Sequence, residues 1–259
     1  MDSVTGKEPL AGHQKKPSTA TNTFIDREAY ASSGVKVGGE RNSVNPALMQ
    51  SPSIASQTRM DSMYGDEMDD GTRGVRHGFG VQVWQDGAKY KGQWQNNKAH
   101  GKGTFWHADG DYYEGEFRND KSNGYGVFHC TDGTVYEGVW LDDIQHGAGQ
   151  AHWPDGSSYI GHYMEGRRHG IGTYKWTNGN SYSGEWADNA MNGFGTYEWA
   201  DGRKYEGYWQ KNFMHGQGVY SWPDGRKYDG EYENDQKNGK GTFYWPDGRM
   251  YSGGWLQGK

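Results

Sequence analysis

One motif, Tyr-x-Gly-x-aromatic, recurs through most of this 259-residue chain at a fixed interval of 23 residues. No insertion interrupts the interval. A constant period between about 20 and 50 residues is typical of repeat arrays, in which each unit contacts only its neighbours. We therefore expect an elongated array whose function lies on its surface and ends. The tyrosines that begin the motif are Tyr90, Tyr113, Tyr136, Tyr159, Tyr182, Tyr205, Tyr228 and Tyr251.

The unit at residues 205–227, YEGYWQKNFMHGQGVYSWPDGRK, reads as a β-hairpin. Side chains alternate along a strand, so Tyr205 and Trp209 share one face and Tyr208 lies on the other. A polar turn is predicted at residues 210–215, followed by a second strand around Val219 and Tyr220. Pro-Asp-Gly closes the unit, because proline and Asp-Gly suit the backbone angles of a tight turn. An apolar period near 3.6, which a helix requires, is absent.

The succession Tyr-x-Gly-x-Trp, His-Gly-x-Gly, an aromatic pair and Asp-Gly resembles the MORN repeat (membrane occupation and recognition nexus). The resemblance implies an all-β fold, an elongated single-layered antiparallel sheet of successive β-hairpins that forms a twisted rod. It also implies scaffold and adaptor roles at membranes, the cortical cytoskeleton and cilia. Finally, it implies homodimers that join end to end through the C-terminal repeats, for which the candidate contacts are Tyr251 and Trp255.

Two regions of different composition divide the chain. Residues 1–74 are polar, rich in Ser, Thr, Lys, Asn and Pro, and are predicted to be a disordered tail because they cannot bury enough apolar surface. Residues 75–259 are predicted to be the array. It begins with a half unit, continues with seven complete units from Tyr90 to Met250, and ends with a truncated eighth that starts at Tyr251.

Composition excludes several classes of protein. The single cysteine, Cys130, excludes a disulfide framework. It stands in a column otherwise occupied by tryptophans such as Trp153, so we interpret it as a small apolar filler. No apolar run approaches the ~20 residues of a membrane span, and the N-terminus has no hydrophobic signal core. We expect a cytoplasmic protein, at the cytoskeleton or cilium rather than the inner face of the plasma membrane, and not a secreted one.

One face of the first strand of each unit carries two aromatic residues with a glycine between them. The glycine is expected to leave room for rings from neighbouring strands. One such hairpin cannot stand alone, so the stability of the array is expected to be a sum over neighbouring units. The predicted aromatic face consists of Tyr90, Trp94, Tyr113, Phe117, Tyr136, Trp140, Tyr159, Tyr163, Tyr182, Trp186, Tyr205, Trp209, Tyr228 and Tyr232.

A column of histidines precedes the Gly-x-Gly element and raises the question of a metal site. The same column holds Asn123, Asn192 and Asn238 in other units. Histidine and asparagine share a tolerance of left-handed backbone angles, so a turn-shaping role is favoured over metal binding. We predict no metal and no cofactor. The histidines are His77, His100, His146, His169 and His215.

Charge argues against nucleic-acid binding, since neither region is basic. Residues 1–70 carry 7 basic and 10 acidic side chains, and the remainder carries 20 and 23. The last three closing turns nevertheless carry a basic ridge, which is a candidate contact for anionic lipids or a protein partner. Acidic neighbours such as Glu206 and Asp229 are expected to neutralise part of it. The basic ridge consists of Arg203, Lys204, Arg226, Lys227 and Arg249.

No residue pattern supports catalysis, because no serine or cysteine has a local activating motif and no site breaks the period. The favoured prediction is a non-catalytic scaffold that links cytoskeletal or axonemal components. The alternatives are a peripheral membrane module that binds phosphoinositides, and the regulatory repeat region of a phosphatidylinositol phosphate kinase. Both remain open at this point.

Overall fold

The computed structural model describes residues 74–259, so the predicted N-terminal tail lies outside the described residues. Within this range the chain forms one open sheet of 16 antiparallel strands in sequence order, and each strand pairs only with its neighbours along the chain. At about 4.8 Å per strand the sheet is roughly 70 Å long. The predicted all-β, single-layered array of successive hairpins is confirmed. None of the described residues forms a helix that could cross a membrane.

The strands alternate between short and long, because each unit contributes one of each. Their bounds are β1 Gly78–Val83, β2 Lys89–Gln95, β3 Lys98–Trp106, β4 Tyr112–Arg118, β5 Lys121–His129, β6 Val135–Leu141, β7 Ile144–His152, β8 Ser158–Met164, β9 Arg167–Lys175, β10 Ser181–Ala187, β11 Ala190–Glu198, β12 Lys204–Gln210, β13 Phe213–Ser221, β14 Lys227–Glu233, β15 Gln236–Tyr244 and β16 Met250–Trp255.

The turn inside each hairpin is much shorter than the sequence suggested. Lys211 and Asn212 alone connect β12 to β13, and both have positive φ, 48° and 71°. Two successive residues with positive φ match the two-residue turn that suits the twist of a hairpin, and asparagine tolerates it well. The predicted six-residue turn at residues 210–215 is therefore wrong. The second strand already begins at Phe213, which puts Met214 in the sheet.

The buried aromatic residues of the strands lie on one face of the sheet, which we name the core face. All fourteen residues of the predicted aromatic face are buried there. Two further columns of this core were not part of the predicted aromatic face. One lies fifteen residues after each first tyrosine and is mostly aromatic, as at Phe105 and Tyr197. The other lies nine residues after it and varies from unit to unit, as at Ala99, Met191 and Lys237.

Candidate interaction surface

The core face is filled by its own rings. The Tyr205 hydroxyl donates to the Tyr208 backbone carbonyl at 3.0 Å, so the ring folds back along its own strand. A Cβ added to Gly207 would lie 2.6 Å from the Tyr205 Oη and 2.5 Å from the Gly218 Cα of the paired strand. The ring that uses the space above the glycine thus comes from the same strand, not from a neighbouring one as the sequence analysis expected. The corresponding hydroxyl bond recurs in all eight units.

A second aromatic residue joins each unit to the one before it. The Trp209 Nε1 donates to the Gly195 carbonyl of the preceding hairpin at 3.2 Å. Its ring also lies edge-on against Tyr182 and Tyr205, with centroids 5.5 and 5.1 Å away. Edge-to-face pairs of this kind contribute roughly 0.5–1.5 kcal/mol beyond their burial. Because these rings are engaged with one another, the core face leaves little aromatic surface for a partner.

The variable column on the core face contains two cations packed among rings. The Lys237 Nζ lies 4.6–5.5 Å from the centroids of four rings, those of Phe243, Trp255, Tyr228 and Trp222. Arg168 lies in the corresponding place between Tyr159, Tyr174 and Trp186. Burial lowers the pKa of Arg168. Ring faces attract cations, so this column tolerates positive charge inside an apolar core.

The turn residues also connect units. The Asn212 side chain accepts a hydrogen bond from the Met191 backbone nitrogen at 2.7 Å, and the Asn212 nitrogen donates to the Met191 carbonyl at 3.0 Å. Asp143 makes the same pair with Ser122. Burial raises the pKa of Asp143 to about 6, although the Ser122 N–H lowers it. The sequence showed only that Asn and Asp recur in these turns, not that they reach across to the preceding unit.

The opposite side of the sheet, which we name the open face, has no second layer above it among the described residues. Its central part is apolar: Tyr125 lies opposite Val139 on β5 and β6, and Ile160 and Ile171 are 60% and 59% exposed on β8 and β9. Tyr125 and Val139 are direct partners, whereas Ile160 pairs with Gln150 on one side and Thr173 on the other, so polar side chains lie between the apolar ones. We name Tyr125, Val139, Ala148, Ile160 and Ile171 the central apolar patch. Several large apolar side chains exposed on one part of a surface, with polar side chains around them, are typical of interaction sites.

A groove with a volume of about 640 Å³ runs over the open face from β1 to β5. Phe79, Trp106 and Tyr125 give it aromatic surfaces, and Lys91, Lys102 and Glu114 line it with charge. We name it the open-face groove. Neither the groove nor the patch was predicted from the sequence, because their residues vary from unit to unit. The only available signal was the alternation that puts them opposite the core tyrosines.

The three arginines of the predicted basic ridge lie on the closing turns, and its two lysines are the first residues of β12 and β14, but the charges of all five are paired. The Nε of Arg203, Arg226 and Arg249 each lies 2.7 Å from the carboxylate of the aspartate two residues earlier. Lys204 pairs with Glu206 at 3.1 Å and Lys227 with Asp229 at 3.8 Å. The pairing is more extensive than the sequence analysis expected, and it lowers the charge that the ridge offers to an anionic surface.

The two C-terminal residues that were predicted to make an end-to-end contact lie in different environments. Trp255 is buried against the unit before it, and its Nε1 donates to the Gly241 carbonyl at 3.0 Å. Its ring centroid is 5.1 Å from that of Tyr228. Tyr251, on the same strand, is only half-buried. The structure thus joins Trp255 to its own array and leaves part of the Tyr251 ring accessible.

Four members of the histidine column, His100, His146, His169 and His215, lie within strands rather than turns, and His77 directly precedes β1. His215 and the other members have no positive φ, and the left-handed residue is the glycine that follows, such as Gly216 with φ 66°. The predicted left-handed role of the histidines is therefore wrong. Within residues 74–259 no group of three or more His, Cys, Asp and Glu residues is arranged to hold a metal ion.

The column of closing-turn tryptophans has two exceptions, His107 and Cys130. Cys130 packs half-buried against the core, and burial raises its thiol pKa to about 12, which makes it a poor nucleophile at neutral pH. His107 is buried between Phe105 and Phe128, and burial lowers its pKa. Neither of its ring nitrogens has a hydrogen-bond partner among the described residues. Both residues act as fillers of the aromatic stack.

Comparison with known proteins gives a family and several distant structures. The model of the MORN repeat matches the chain eight times, at residues 72–89, 90–112, 113–135, 136–158, 159–181, 182–202, 205–225 and 228–248. No curated protein sequence matches it. The structure is similar to the TCP domain of Drosophila melanogaster SAS-4 (dCPAP) in complex with a proline-rich motif of Ana2 (dSTIL), with 8% identity over 76% of this chain and 99% of that chain and a TM-score of 0.38.

Two further structures are less similar. The wild-type TCP10 domain of Danio rerio CPAP has 12% identity over 67% of this chain and 93% of that chain, with a TM-score of 0.23. Virginiamycin B lyase from Staphylococcus aureus has 14% identity over 71% of this chain and 57% of that chain, with a TM-score of 0.15. At these scores the structures support no argument about function.

Proposed function

The chain belongs to the MORN-repeat family, and from that premise we propose that it is a non-catalytic scaffold that binds a protein partner on the open face of its sheet. The family is in general non-catalytic, and its repeats form protein-interaction or membrane-binding modules. The observation that supports a protein partner here is the difference between the two faces. The rings of the core face are engaged with one another, whereas the open face presents the central apolar patch.

The extent of the open face favours a scaffold over a small-molecule receptor. The sheet is roughly 70 Å long at about 4.8 Å per strand, so a partner can contact several units at once. Interfaces of this kind gain their energy from a few buried apolar residues surrounded by a polar rim. Ile160 and Ile171 supply the apolar centre, and Glu137, Glu185 and His162 supply polar side chains around it.

We propose that the partner is a cytoskeletal component, ciliary, axonemal or cortical, which is the role that the resemblance to other MORN proteins implies. The test is the distribution of full-length tagged protein after detergent extraction of cells. The wild-type chain should remain with the insoluble cytoskeleton, and Ile160→Lys with Ile171→Lys should release it. Val219→Lys, on the same face at β13, is the matched control and should not. Equal extraction of all three proteins would refute this function.

The alternative that we keep is a peripheral membrane module that binds anionic phospholipids through the basic ridge. In that case the chain would bind phosphoinositides, alone or as the repeat region associated with a phosphatidylinositol phosphate kinase. The five cations support this alternative, but their ion pairs count against it. Intact-mass measurement of the native protein would reveal an appended kinase domain.

A further inference from the structure

The open-face groove has the chemistry to bind an acidic segment that carries apolar side chains. Its aromatic surfaces come from Phe79, Trp106 and Tyr125, and Phe79 is 69% exposed. Its cations come from the first complete hairpin, where Lys91 and Lys102 are exposed on β2 and β3. Lys89 lies beside them, with its Nζ 4.9 Å from the Trp106 ring centroid.

Charge is unevenly distributed along this groove. Strands β1 to β3 contain no carboxylate, and none of the ion pairs among the described residues involves Lys91 or Lys102. The carboxylates begin on β4, with Glu114 and Glu116. The half of the groove nearest to β1 is therefore positively charged and aromatic.

The chain that leads into β1 has the complementary composition. Residues 60–70, MDSMYGDEMDD, combine five carboxylates with three methionines and Tyr64. Methionine packs favourably against aromatic rings, and unpaired lysines attract carboxylates. No other stretch of residues 1–73 has this density of acidic residues.

The distance between this segment and the groove is short enough for the segment to reach it. The chain is already fixed at Arg76, whose backbone bonds to Asn97, so the free span from Asp70 is six residues, or about 20 Å when extended. The distance from β1 to β5 is about 19 Å at 4.8 Å per strand. The covalent connection also gives the segment a high effective concentration at the groove.

We propose that residues 60–70 bind in the open-face groove of their own chain, with the methionines against Trp106 and the carboxylates near Lys91 and Lys102. This inference goes beyond the proposed function: the segment occupies the N-terminal part of the open face and competes there with any partner that extends over it. Tyr125 belongs to both the groove and the central apolar patch, so a partner on the patch would meet the bound segment.

Methyl NMR of the full-length chain with ¹³C-labelled methionine tests the proposal. Met63 and Met68 are assigned by single Met→Leu variants, and we expect their methyl signals upfield of free methionine because they lie over an indole ring. Trp106→Ser should abolish the displacement. Tyr244→Ser is the matched control, because Tyr244 holds the same place on β15 as Trp106 holds on β3. The Lys227 Nζ lies 4.7 Å from the Tyr244 ring centroid, just as the Lys89 Nζ lies beside the Trp106 ring. This control should leave both signals unchanged.

A second variant avoids any effect of Trp106 on folding. Lys91→Glu with Lys102→Glu changes only exposed side chains and should also abolish the displacement, whereas Lys227→Glu should not. Two results would overturn the proposal. One is a methyl chemical shift equal to that of free methionine in the wild-type chain, and the other is an upfield shift that stays the same in both groove variants.

A mixing experiment separates binding within one chain from binding between chains. Labelled Trp106→Ser protein is mixed with unlabelled wild type; if the upfield signals reappear, the segment binds another copy and the proposal is wrong. We expect no recovery and no dependence on concentration. The cytoskeletal extraction assay is independent of these NMR measurements. The proposed function can therefore fail while binding of the segment is supported, and the reverse also holds.

Discussion

The ring of Tyr182 lies over Gly195 of the paired strand, so a single hairpin packs the tyrosine of its first strand onto bare backbone. The Tyr182 hydroxyl is fixed in this position by donation to the Glu185 carbonyl at 2.9 Å. Gly184 lies beside it, with its Cα facing Gly195 in the register. Because Gly184 and Gly195 have no side chains, the Tyr182 ring has room to be buried over the two strands. This explains why glycine is needed on both strands.

The first prediction concerns this gap. A Cβ at Gly184 would collide with the Gly195 Cα and the Tyr182 Oη, so Gly184→Val should lower the free energy of unfolding by about 3 kcal/mol, the upper part of the range for overpacking. Chemical denaturation measures it. Gly254→Val is the control, because a Cβ at Gly254 meets nothing within 4 Å. Equal stability of the two variants would contradict the packing described here.

The second prediction concerns the ring that joins units. Trp186→Ala removes the hydrogen bond from Nε1 to the Gly172 carbonyl and the ring contacts with Tyr159 and Tyr182. A core truncation of this size should cost about 3–5 kcal/mol. Hydrogen exchange should show loss of protection on both sides, in β8–β9 and β10–β11. Phe79→Ala, which truncates an exposed ring, should change little, and a loss confined to one hairpin would argue against coupling between units.

The third prediction tests whether the ring faces around Lys237 select for positive charge. Lys237→Met, which matches Met191 and Met214 in the same column, should remain within about 1 kcal/mol of wild type, since apolar replacements of buried ions are often neutral. Lys237→Glu should cost at least ~3 kcal/mol, because a carboxylate would be buried at 8% exposure against negative ring faces. Thermal unfolding measures both. Lys240→Glu, on the exposed side of the same strand, should leave the stability unchanged.

The fourth prediction concerns pH and Asp143. Its pKa of about 6 in the folded chain exceeds the ordinary value of 3.8, so between these values the folded chain binds more protons than the unfolded chain. Stability therefore falls as the pH rises from about 4 to 6, by at most about 3 kcal/mol for this group. Asp143→Asn should raise stability at pH 7.5 and flatten this dependence, since Asn189 accepts from Arg168 in the same way.

The control for Asp143 is its neighbour. Asp142 is half-exposed, and its charge is only a minor cause of the raised pKa of Asp143, so Asp142→Asn should change the slope between pH 4 and 6 much less than Asp143→Asn does. Denaturant unfolding at pH 4.5 and 7.5 gives the comparison. If both asparagine variants alter the slope equally, burial of Asp143 is not its cause.

The fifth prediction concerns the basic ridge. Because each ridge arginine is paired with an aspartate of its own turn, we expect no salt-sensitive flotation of the chain with acidic liposomes. Replacing Arg203, Arg226 and Arg249 together by glutamate should accordingly leave the flotation of the chain unchanged. Flotation that weakens with salt and is lost in the triple variant would establish the membrane-binding alternative.

The sequence was sufficient for the sheet and its order because every unit repeats the same local chemistry. Tyr-x-Gly-x-aromatic specifies which face of the first strand is buried, and Asp-Gly specifies where the chain turns back. The fixed interval leaves no segment long enough for a helix or crossover. These signals are local, and each unit repeats them, so the single-layered array followed from the chain alone.

Turn length and contacts between units were not accessible in the same way. Met214 and His215 looked like turn residues because polar neighbours surround them, yet the left-handed angles of Lys211 and Asn212 alone reverse the chain. The hydrogen bond from Met191 to Asn212 joins residues 21 positions apart, a distance that no local pattern encodes.

The candidate site depended most on tertiary structure. The open-face groove combines Phe79, Lys91, Trp106 and Tyr125 from four strands, and of these four only Phe79 recurs at its position in the repeat, as Phe194. Period and turn chemistry determined which fold this chain adopts, because hydrogen bonding and ring burial act in every unit. Only the assembled sheet decided where a partner can bind, because that surface consists of the side chains in which the units differ.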